Sequence, residues 1–188
     1  MSLRHYRGRW PKLGKRVYVD TSAVVIGDVV LGDDSSVWPC AVIRGDVSSI
    51  HIGKRTSVQD GVILHVTHDG PFSPGGRGLS IGDDVTIGHG AVLHACTVGN
   101  ACLVGMNATV LDGVTIEDDV MVAAGALVSP GKHLPTGTLW AGNPARQIRE
   151  LSDKQIAYLR YSAQHYVTVK DEYLSSAAVT FVDGHVAG

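Results

Sequence analysis

The chain has 188 residues, 44% of them hydrophobic, so it has room for one domain with a buried core. Its 16 Lys and Arg nearly balance its 18 Asp and Glu, for a formal charge of −2, and this balance argues against nucleic acid or an anionic membrane as a partner. The 23 glycines and the low aromatic content of 6% indicate many tight turns around a narrow core of small aliphatic side chains.

The N-terminal segment, residues 1–16, is basic but lacks the apolar stretch that a secretory signal needs. Farther along the chain, no apolar run is long enough to span a bilayer. The three cysteines show no C-x-x-C spacing, which argues against a disulfide framework and a structural zinc knot. We therefore expect a cytoplasmic protein in a reducing compartment.

A six-residue repeat of aliphatic side chains predicts the fold, a solenoid over residues 17–148. This period suits neither an α-helix nor a simple alternating strand, but it suits a short strand followed by a turn, which a glycine after the aliphatic residue would ease. Three such units close one triangular coil, and stacked coils pair their backbones about 4.8 Å apart. The two longest series are Val19, Val25, Leu31, Val37 and Ile43, and Val98, Val104, Val110, Ile116, Val122 and Val128.

Two stretches depart from the repeat. Residues 66–79 are rich in Gly and Pro and are expected to leave the solenoid as a loop, either functional or simply a tolerated insertion. After Val128 the repeat stops, and further Gly and Pro residues predict an exit loop. Ser152 then opens a capping box, which predicts an amphipathic helix over residues 152–174, followed by a loose tail over residues 176–188.

Side chains that directly follow an aliphatic anchor are expected to face outward, and most of them are Gly or simple polar residues. His65 and His94 occupy such positions, and His89 lies nearby in the sequence. Three neutral imidazoles make a complete protein ligand set for a catalytic zinc, with the fourth tetrahedral position left for a water whose pKa falls to about 7. Each histidine taken alone is more typical of an ordinary surface residue in a turn than of a metal ligand.

Three segments resemble successive signature segments of the gamma-class carbonic anhydrases: Ile43–Asp46, Val58–His65 and Ile87–His94. The similarity covers about residues 12–148, and Tyr158–Ala163 extends it into the predicted helix, where it resembles the bacterial carbonic anhydrase-like branch. This resemblance implies a left-handed parallel β-helix of hexapeptide repeats with a C-terminal α-helix, assembled as a homotrimer. It also implies reversible hydration of CO2 to bicarbonate at Zn2+ sites between subunits, where the same imidazoles also accept Fe2+ or Co2+.

The resemblance assigns roles to particular residues. His65, His89 and His94 match the metal ligands, and in the family the ligand that matches His89 comes from the neighbouring subunit. Arg44 and Asp46 match a pair that bridges subunits near the metal, for which a purely structural ion pair is the alternative.

Two further pairs of residues are placed near the site by the same resemblance. Gln59 and Asp60 match residues that hydrogen-bond around the metal-bound water and so orient it and tune its basicity. Tyr161 and Tyr166 fall where the terminal helix of the family can lean over the site, although packing is the ordinary role of such residues.

Two departures from the family pattern concern proton transfer. Val47 stands where the archaeal form of the family has a Glu, and the loop over residues 66–79 lacks the Glu that is thought to shuttle protons in that form. Because hydration releases a proton in every cycle, these losses threaten turnover more than metal binding. His68 and Asp69 are the obvious substitutes for a proton relay in this loop, with a merely solvated role as the alternative.

Two other functions stay open at this point. Hexapeptide-repeat acyltransferases and thioesterases that use coenzyme A share the solenoid and the Gly142–Ala145 segment, but they mainly need one general-base histidine and a groove between subunits for the acyl carrier. The other alternative to CO2 hydration is a metal-stabilised assembly subunit with little catalysis. The absence of the two Glu residues that the archaeal form has for proton transfer favours this alternative.

Overall fold

The computed structural model describes residues 3–180, the last four of them by their backbone alone. The chain forms the predicted left-handed parallel β-helix with one C-terminal helix. The elements are β1 (Leu3–Arg4), β2 (Lys12–Leu13), β3 (Tyr18–Val19), β4 (Val24–Leu31), β5 (Ser36–Val37), β6 (Val42–Ile52), β7 (Ser57–Val58), β8 (Ile63–His65), β9 (Leu79–Ile81), β10 (Thr86–Ile87), β11 (Val92–His94), β12 (Thr97–Val98), β13 (Leu103–Val104), β14 (Thr109–Val110), β15 (Thr115–Ile116), β16 (Met121–Val122), β17 (Leu127–Val128), β18 (His133–Leu134), β19 (Thr138–Gly142), β20 (Ala145–Glu150) and α1 (Asp153–Thr180).

Three faces enclose the core of the solenoid. The first face stacks β8, β11, β14 and β17 on the beginning of β6, and the second stacks β9, β12, β15 and β18 on the end of β6. The third face runs from β3 through β5, β7, β10, β13 and β16 to β19. Successive strands pair in parallel and in register, so that Leu93 lies between Leu64 and Val110, and all three are fully buried. The aliphatic anchors therefore form continuous ladders, which is the source of the core.

The anchors Ile43 and Ile52 are farther apart than the six-residue repeat, and both lie on one continuous strand. Strand β6 turns the corner from the first face to the second, with β4 on one side and with β8 and β9 on the other. The pairing with β4 shifts register between Gly27 and Val29, and this irregularity accommodates the bend.

The glycines after the aliphatic anchors have a different role from the predicted one. A Cβ on Gly53 would lie 2.5 Å from the backbone of Gly82, which occupies the same position one coil later. Positive φ angles occur instead at other corner residues, such as Asp34 (61°) and Asp84 (58°). Glycine is therefore required at these positions because the backbones of stacked coils approach closely, and the prediction that it eases the turn there is wrong.

Both ends of the solenoid extend beyond the predicted repeat. Strands β1 and β2 pair with β4, so part of the basic segment at residues 1–16 belongs to the solenoid. After Val128 the coils continue, since Trp140 of β19 pairs with Val122 of β16, and β20 then returns antiparallel to β19. The predicted exit loop is therefore wrong over this stretch.

Helix α1 packs along the third face. It begins with the predicted capping box, in which the Gln155 amide donates to Ser152 Oγ and the Ser152 amide donates to Gln155 Oε1, at 3.4 and 3.2 Å. The helix continues to Thr180, past the predicted end at residue 174, so the first part of the predicted tail is helical, and residues 181–188 lie outside the described residues. No helix in the described part of the chain combines the length and the hydropathy of a membrane span.

An ion pair anchors the far end of α1. Lys170 is completely buried, and its Nζ lies 3.1 Å from Asp34 Oδ1 on the solenoid. Beside it, Trp38 contacts Tyr166 and Tyr173 edge-on. These contacts hold α1 in a defined position over the third face, next to Gln59 and His89.

Candidate metal centre

His65 and His94 lie side by side at the corner between the first and second faces. Each is the last residue of its strand, and the register of β8 and β11 pairs them directly. His65 Nδ1 and His94 Nε2 face each other at 3.1 Å. Two imidazole nitrogens bound to one tetrahedral zinc at the usual bond length lie about 3.3 Å apart. The spacing of this histidine pair therefore fits two ligands of one ion.

The outer nitrogen of each ring contacts a carboxylate. His65 Nε2 is 3.1 Å from Asp46 Oδ1, and His94 Nδ1 is 2.6 Å from Asp112 Oδ1. The hydroxyl of Thr67 donates to the other oxygen of Asp112. A carboxylate in this position fixes the orientation of an imidazole and raises its strength as a metal ligand.

Asp112 is a site residue that the sequence reasoning missed. It follows the anchor Val110 by two positions, and Val110 pairs with Leu93, the residue before His94. An acidic residue one coil after a candidate ligand was a usable signal, because stacked coils bring such positions into contact.

Electrostatics at this corner favour a neutral imidazole beside an ionised carboxylate. Burial lowers the pKa of His65, against the opposing effect of Asp46. Burial opposes the ionisation of Asp46, but hydrogen bonds from Arg44 and His65 outweigh it and hold the pKa of that carboxyl below its usual value. Arg44 Nη1 lies 2.5 Å from Asp46 Oδ2. The predicted Arg44–Asp46 pair thus forms within one chain, and its bridge to a second subunit stays a prediction.

His89 lies at a different corner, between the third and first faces. Its Nδ1 is 2.9 Å from Asp60 Oδ2, and both side chains are about half exposed, at 51% and 49%. The five residues from His89 to His94 cross the first face, a span of up to about 16 Å at the usual rise of a strand. Within residues 3–180, no group of three or more His, Cys, Asp or Glu side chains converges on a common metal position. One chain therefore brings together two of the three predicted ligands.

Gln59 and Asp60 accompany His89 rather than the histidine pair. Gln59 follows the anchor Val58 and lies outside the core, as expected, but it is only 3% exposed, and this burial was not predicted. Helix α1 covers it, and its amide hydrogen-bonds to the phenol of Tyr166. Burial raises the pKa of Tyr166, which keeps this phenol protonated.

A groove of about 440 Å3 runs beneath α1 and ends at His89. We call it the α1 groove. Of the two tyrosines that line it, Tyr161 is 65% exposed, whereas Tyr166 is partly buried. The two predicted tyrosines thus lie near His89, and neither lies at the histidine pair of the same chain. The residues that line the groove include Gln59, Gly88, His89, Gly105, Met106, Ala123, Tyr158, Tyr161, His165 and Tyr166.

The loop over residues 66–79 leaves the solenoid directly after His65. Its His68 lines a cavity of about 640 Å3 together with Asp46 and a second of about 280 Å3 together with Asp112. Asp69 accepts a hydrogen bond from the Gly75 amide at 2.7 Å, which closes the loop on itself. His68 therefore shares one cavity with Asp46 and another with Asp112, and the contact of Asp69 holds the loop closed.

Comparison with known proteins shows the family. The protein-family model described as "Bacterial transferase hexapeptide (six repeats)" matches residues 11–45 and 95–130 of this chain. Protein YrdA of Escherichia coli (strain K12) is 54% identical over 178 residues, which cover 95% of this chain and 97% of that protein. "Gamma carbonic anhydrase 2, mitochondrial" of Arabidopsis thaliana is 44% identical over 174 residues, which cover 91% of this chain and 61% of that protein.

Solved structures give the same fold. A hexapeptide transferase family protein from Anaplasma phagocytophilum superposes with a TM-score of 0.84 and 38% identity, over 91% of this chain and 97% of that one. Together with the histidine pair and its two carboxylates, these similarities confirm the resemblance seen in the signature segments. The chain belongs to the gamma-class carbonic anhydrase family of hexapeptide-repeat proteins.

Proposed function

We propose that this protein hydrates CO2 reversibly to bicarbonate at metal sites shared between the subunits of a homotrimer. Each site would take His65 and His94 from one copy and His89 from a neighbour. The observation that carries this proposal is the arrangement of the three histidines: two face each other at 3.1 Å, and the third lies at the opposite edge of the first face.

A cyclic trimer suits this arrangement because one pair of complementary corners generates three equivalent sites. The corner with the histidine pair on each copy would meet the His89 corner of the next copy around the ring. All three sites would then be filled without any change of fold in the single chain.

Zinc is the metal that we propose, with Fe2+ or Co2+ as ions that the same imidazoles accept, and it would supply a Lewis acid that acidifies water near neutral pH. Asp46 and Asp112 hold the two rings of one half, and Asp60 holds His89 of the other. Gln59 lies next to His89 with its amide fixed by Tyr166, so it is placed to orient water or bicarbonate there.

Proton release is the step for which this chain offers the fewest side chains that can accept and pass on a proton. Val47 is exposed at the edge of the cavity that Asp46 and His68 line, and it has no group that exchanges a proton. His68 is the exposed base of that cavity. We therefore assign the proton relay to His68 and expect turnover that depends on buffer.

A coenzyme A-dependent acyltransferase or thioesterase is the second candidate function. The α1 groove favours it, since an apolar groove that ends at a histidine suits an acyl chain and a general base. The carboxylate-backed histidine pair has no role in that chemistry, and this is why hydration is the stronger proposal. A metal-stabilised assembly subunit would keep the trimer and the metal but not the turnover.

The compartment also belongs to the proposal. Cys40, Cys96 and Cys102 are all free thiols, and burial raises the pKa of both Cys96 and Cys102 to about 12. The two buried thiols are therefore inert, and three free cysteines are compatible with the reducing cytoplasm that the sequence favours.

Subunit mixing tests the shared site directly. His89→Ala chains and His94→Ala chains, each without metal on their own, are co-expressed with different affinity tags, and metal content and CO2 hydration are measured on the mixed trimers. We expect about a quarter of the wild-type metal and activity, because one interface in four joins an intact histidine pair to an intact His89.

The matched control mixes His65→Ala with His94→Ala, which lie on the same half-site and should give no recovery. Equal behaviour of the two mixtures would refute the shared site. Metal without CO2 hydration in the wild-type protein would favour the assembly subunit, and binding of coenzyme A without metal would favour the acyltransferase.

A further inference from the structure

We propose that the side chain of Phe72 in each copy packs into the α1 groove of the neighbouring copy, beside that copy's His89. This inference rests on the proposed shared site, and it identifies a second contact that would hold the two halves of that site together.

Phe72 is presented by a stiff turn and contacts almost nothing in its own chain. Its side chain is fully exposed, with a relative accessibility of 101%. Gly70 and Ser73 on either side exchange backbone hydrogen bonds at 3.0 and 3.3 Å. Thr67 and Arg77 pair in the same way at the base of the loop. A large aromatic side chain held outward by such a turn is suited to burial against a partner, where it would remove about 150–250 Å2 from water.

The loop over residues 66–79, which carries Phe72, packs against the coil that contains Asp112. Arg77 packs so closely on that coil that a Cβ on Gly113 would lie 2.8 Å from its Nη1. Phe72 and Asp112 line the same small cavity. Phe72 therefore lies at the axial level of the coil that contains β13 and β14, one coil beyond His94.

The α1 groove is open at that same level. On the third face, the position after each anchor is filled by Trp38 and Gln59 in the early coils, but it is Gly88, Gly105 and Ala123 in the later ones. The small residues leave a space beneath the first half of α1 that the larger side chains close beneath the second half.

The rim of the groove is exposed and apolar. Met106, Tyr158 and Tyr161 are 53%, 51% and 65% exposed. Met106 and Gly105 follow β13, in the coil that Phe72 overlies in its own chain.

The proposed trimer brings these two features together. Phe72 shares a cavity with Asp112, the carboxylate that contacts His94, and His89 lines the α1 groove. Joining His89 of one copy to the histidine pair of the next would therefore place the loop against the groove. If the three-fold axis is parallel to the solenoid, equal coils lie at equal height, and both features occupy the level of β13. Continuity with the proposed interface therefore favours a second copy of this chain as the occupant of the groove over a small apolar ligand.

Site-specific cross-linking tests the contact. The photoreactive residue p-benzoylphenylalanine replaces Phe72 in the full-length protein loaded with zinc, and cross-linked peptides are identified by mass spectrometry. We expect an intermolecular product that joins residue 72 to Met106 or to the segment 158–161. The same probe at Ile148, which is also exposed but lies on β20, should give no such product.

Sedimentation of Phe72→Ala gives the second measurement. We expect the affinity between subunits to be at least tenfold weaker than in the wild type, so that the trimer dissociates at a higher protein concentration. Ile148→Ala should sediment like the wild type. Unchanged trimer affinity together with cross-links outside the groove would overturn the inference, and so would binding of an apolar fluorescent probe in the groove of the intact wild-type trimer.

The subunit-mixing experiment separates this inference from the proposed function. Recovery of metal in the mixture of His89→Ala with His94→Ala, combined with no cross-link to the groove, would leave the shared site standing and refute the Phe72 contact. A monomeric wild-type protein would refute both.

Discussion

The corner that carries His65 and His94 and the corner that carries His89 differ in how completely one chain builds them. At the first corner, strand register sets two rings 3.1 Å apart, and each ring has a partly buried carboxylate behind it. At the second, one half-exposed histidine with one half-exposed Asp60 borders an open groove. The first corner is preorganised by the solenoid, whereas the second has the character of an interface, and the predictions below test that difference.

Removing a ligand from the preorganised corner should have the largest effect. His94→Ala is expected to lose at least about a hundredfold in zinc affinity, because one imidazole of three is gone, while the aliphatic ladder keeps the fold. Metal content measured beside circular dichroism checks both parts. His133→Ala is the control, since that exposed histidine pairs with Glu117 and is not one of the proposed ligands. Stoichiometric zinc in a folded His94→Ala protein would exclude it as a ligand.

Removing a supporting carboxylate should distinguish the two corners. Asp112→Asn is expected to lower zinc affinity about 10- to 100-fold, because the His94 ring loses the charge that orients it. Asp60→Asn should cost less than tenfold, since the Asp60 pair with His89 is exposed to solvent and screened. Competition with a chelator measures both. Equal losses would show that the corners are built alike.

Helix α1 forms one side of the groove at the His89 corner, and the ion pair between Lys170 and Asp34 anchors this helix to the solenoid. Burial opposes the ionisation of Asp34, but Arg16 and Lys170 outweigh it and lower its pKa. Because the folded pKa lies below the unfolded value of about 3.9, this stabilisation is present above that pH and is lost as pH falls through the folded pKa. Asp34→Asn should cost about 2 kcal/mol of unfolding free energy at pH 7, since it strips a fully buried Lys170 of one partner.

Near-ultraviolet circular dichroism of Trp38 and Tyr173 follows that docking. We expect an unchanged signal from pH 7 to pH 5 and a loss below about pH 4 in the wild type. The control Arg160→Gln removes the ion pair between the exposed Arg160 and the partly buried Asp119, which also joins α1 to the solenoid, and should cost less than Asp34→Asn because Arg160 itself is not buried. A signal in the Asp34→Asn variant that equals the wild type at pH 7 would contradict the role of this ion pair.

The smallest effect concerns proton release. His68→Ala is expected to slow CO2 hydration about threefold in dilute buffer, and added imidazole should restore the rate because a small base replaces the relay. Asp69→Asn serves as the comparison, since its carboxylate is engaged by the Gly75 amide, and rescue by imidazole is not expected there. Unchanged activity of His68→Ala at low buffer would remove His68 from the mechanism.

Much of the fold and half of the site followed from periodicity. The six-residue ladder placed the strands, and the shared position of His65 and His94 after Leu64 and Leu93 put both on one edge. Asp112 was missed because it lies one coil away and two positions after its anchor, so its signal appears only when stacked coils are compared with each other. The burial of Gln59 was missed for a different reason: helix α1, distant in sequence, covers that position.

The sequence by itself determined the solenoid, because a regular alternation of aliphatic anchors and tight corners has few other ways to bury its apolar side chains. It also determined which histidines lie at corners, since corner positions follow directly from the repeat. Only the tertiary structure decided which carboxylates back them, why glycine follows the anchors and what α1 covers. Those features depend on contacts between coils and between helix and solenoid. Such contacts join residues from about 17 to more than 130 positions apart, beyond the reach of a local pattern.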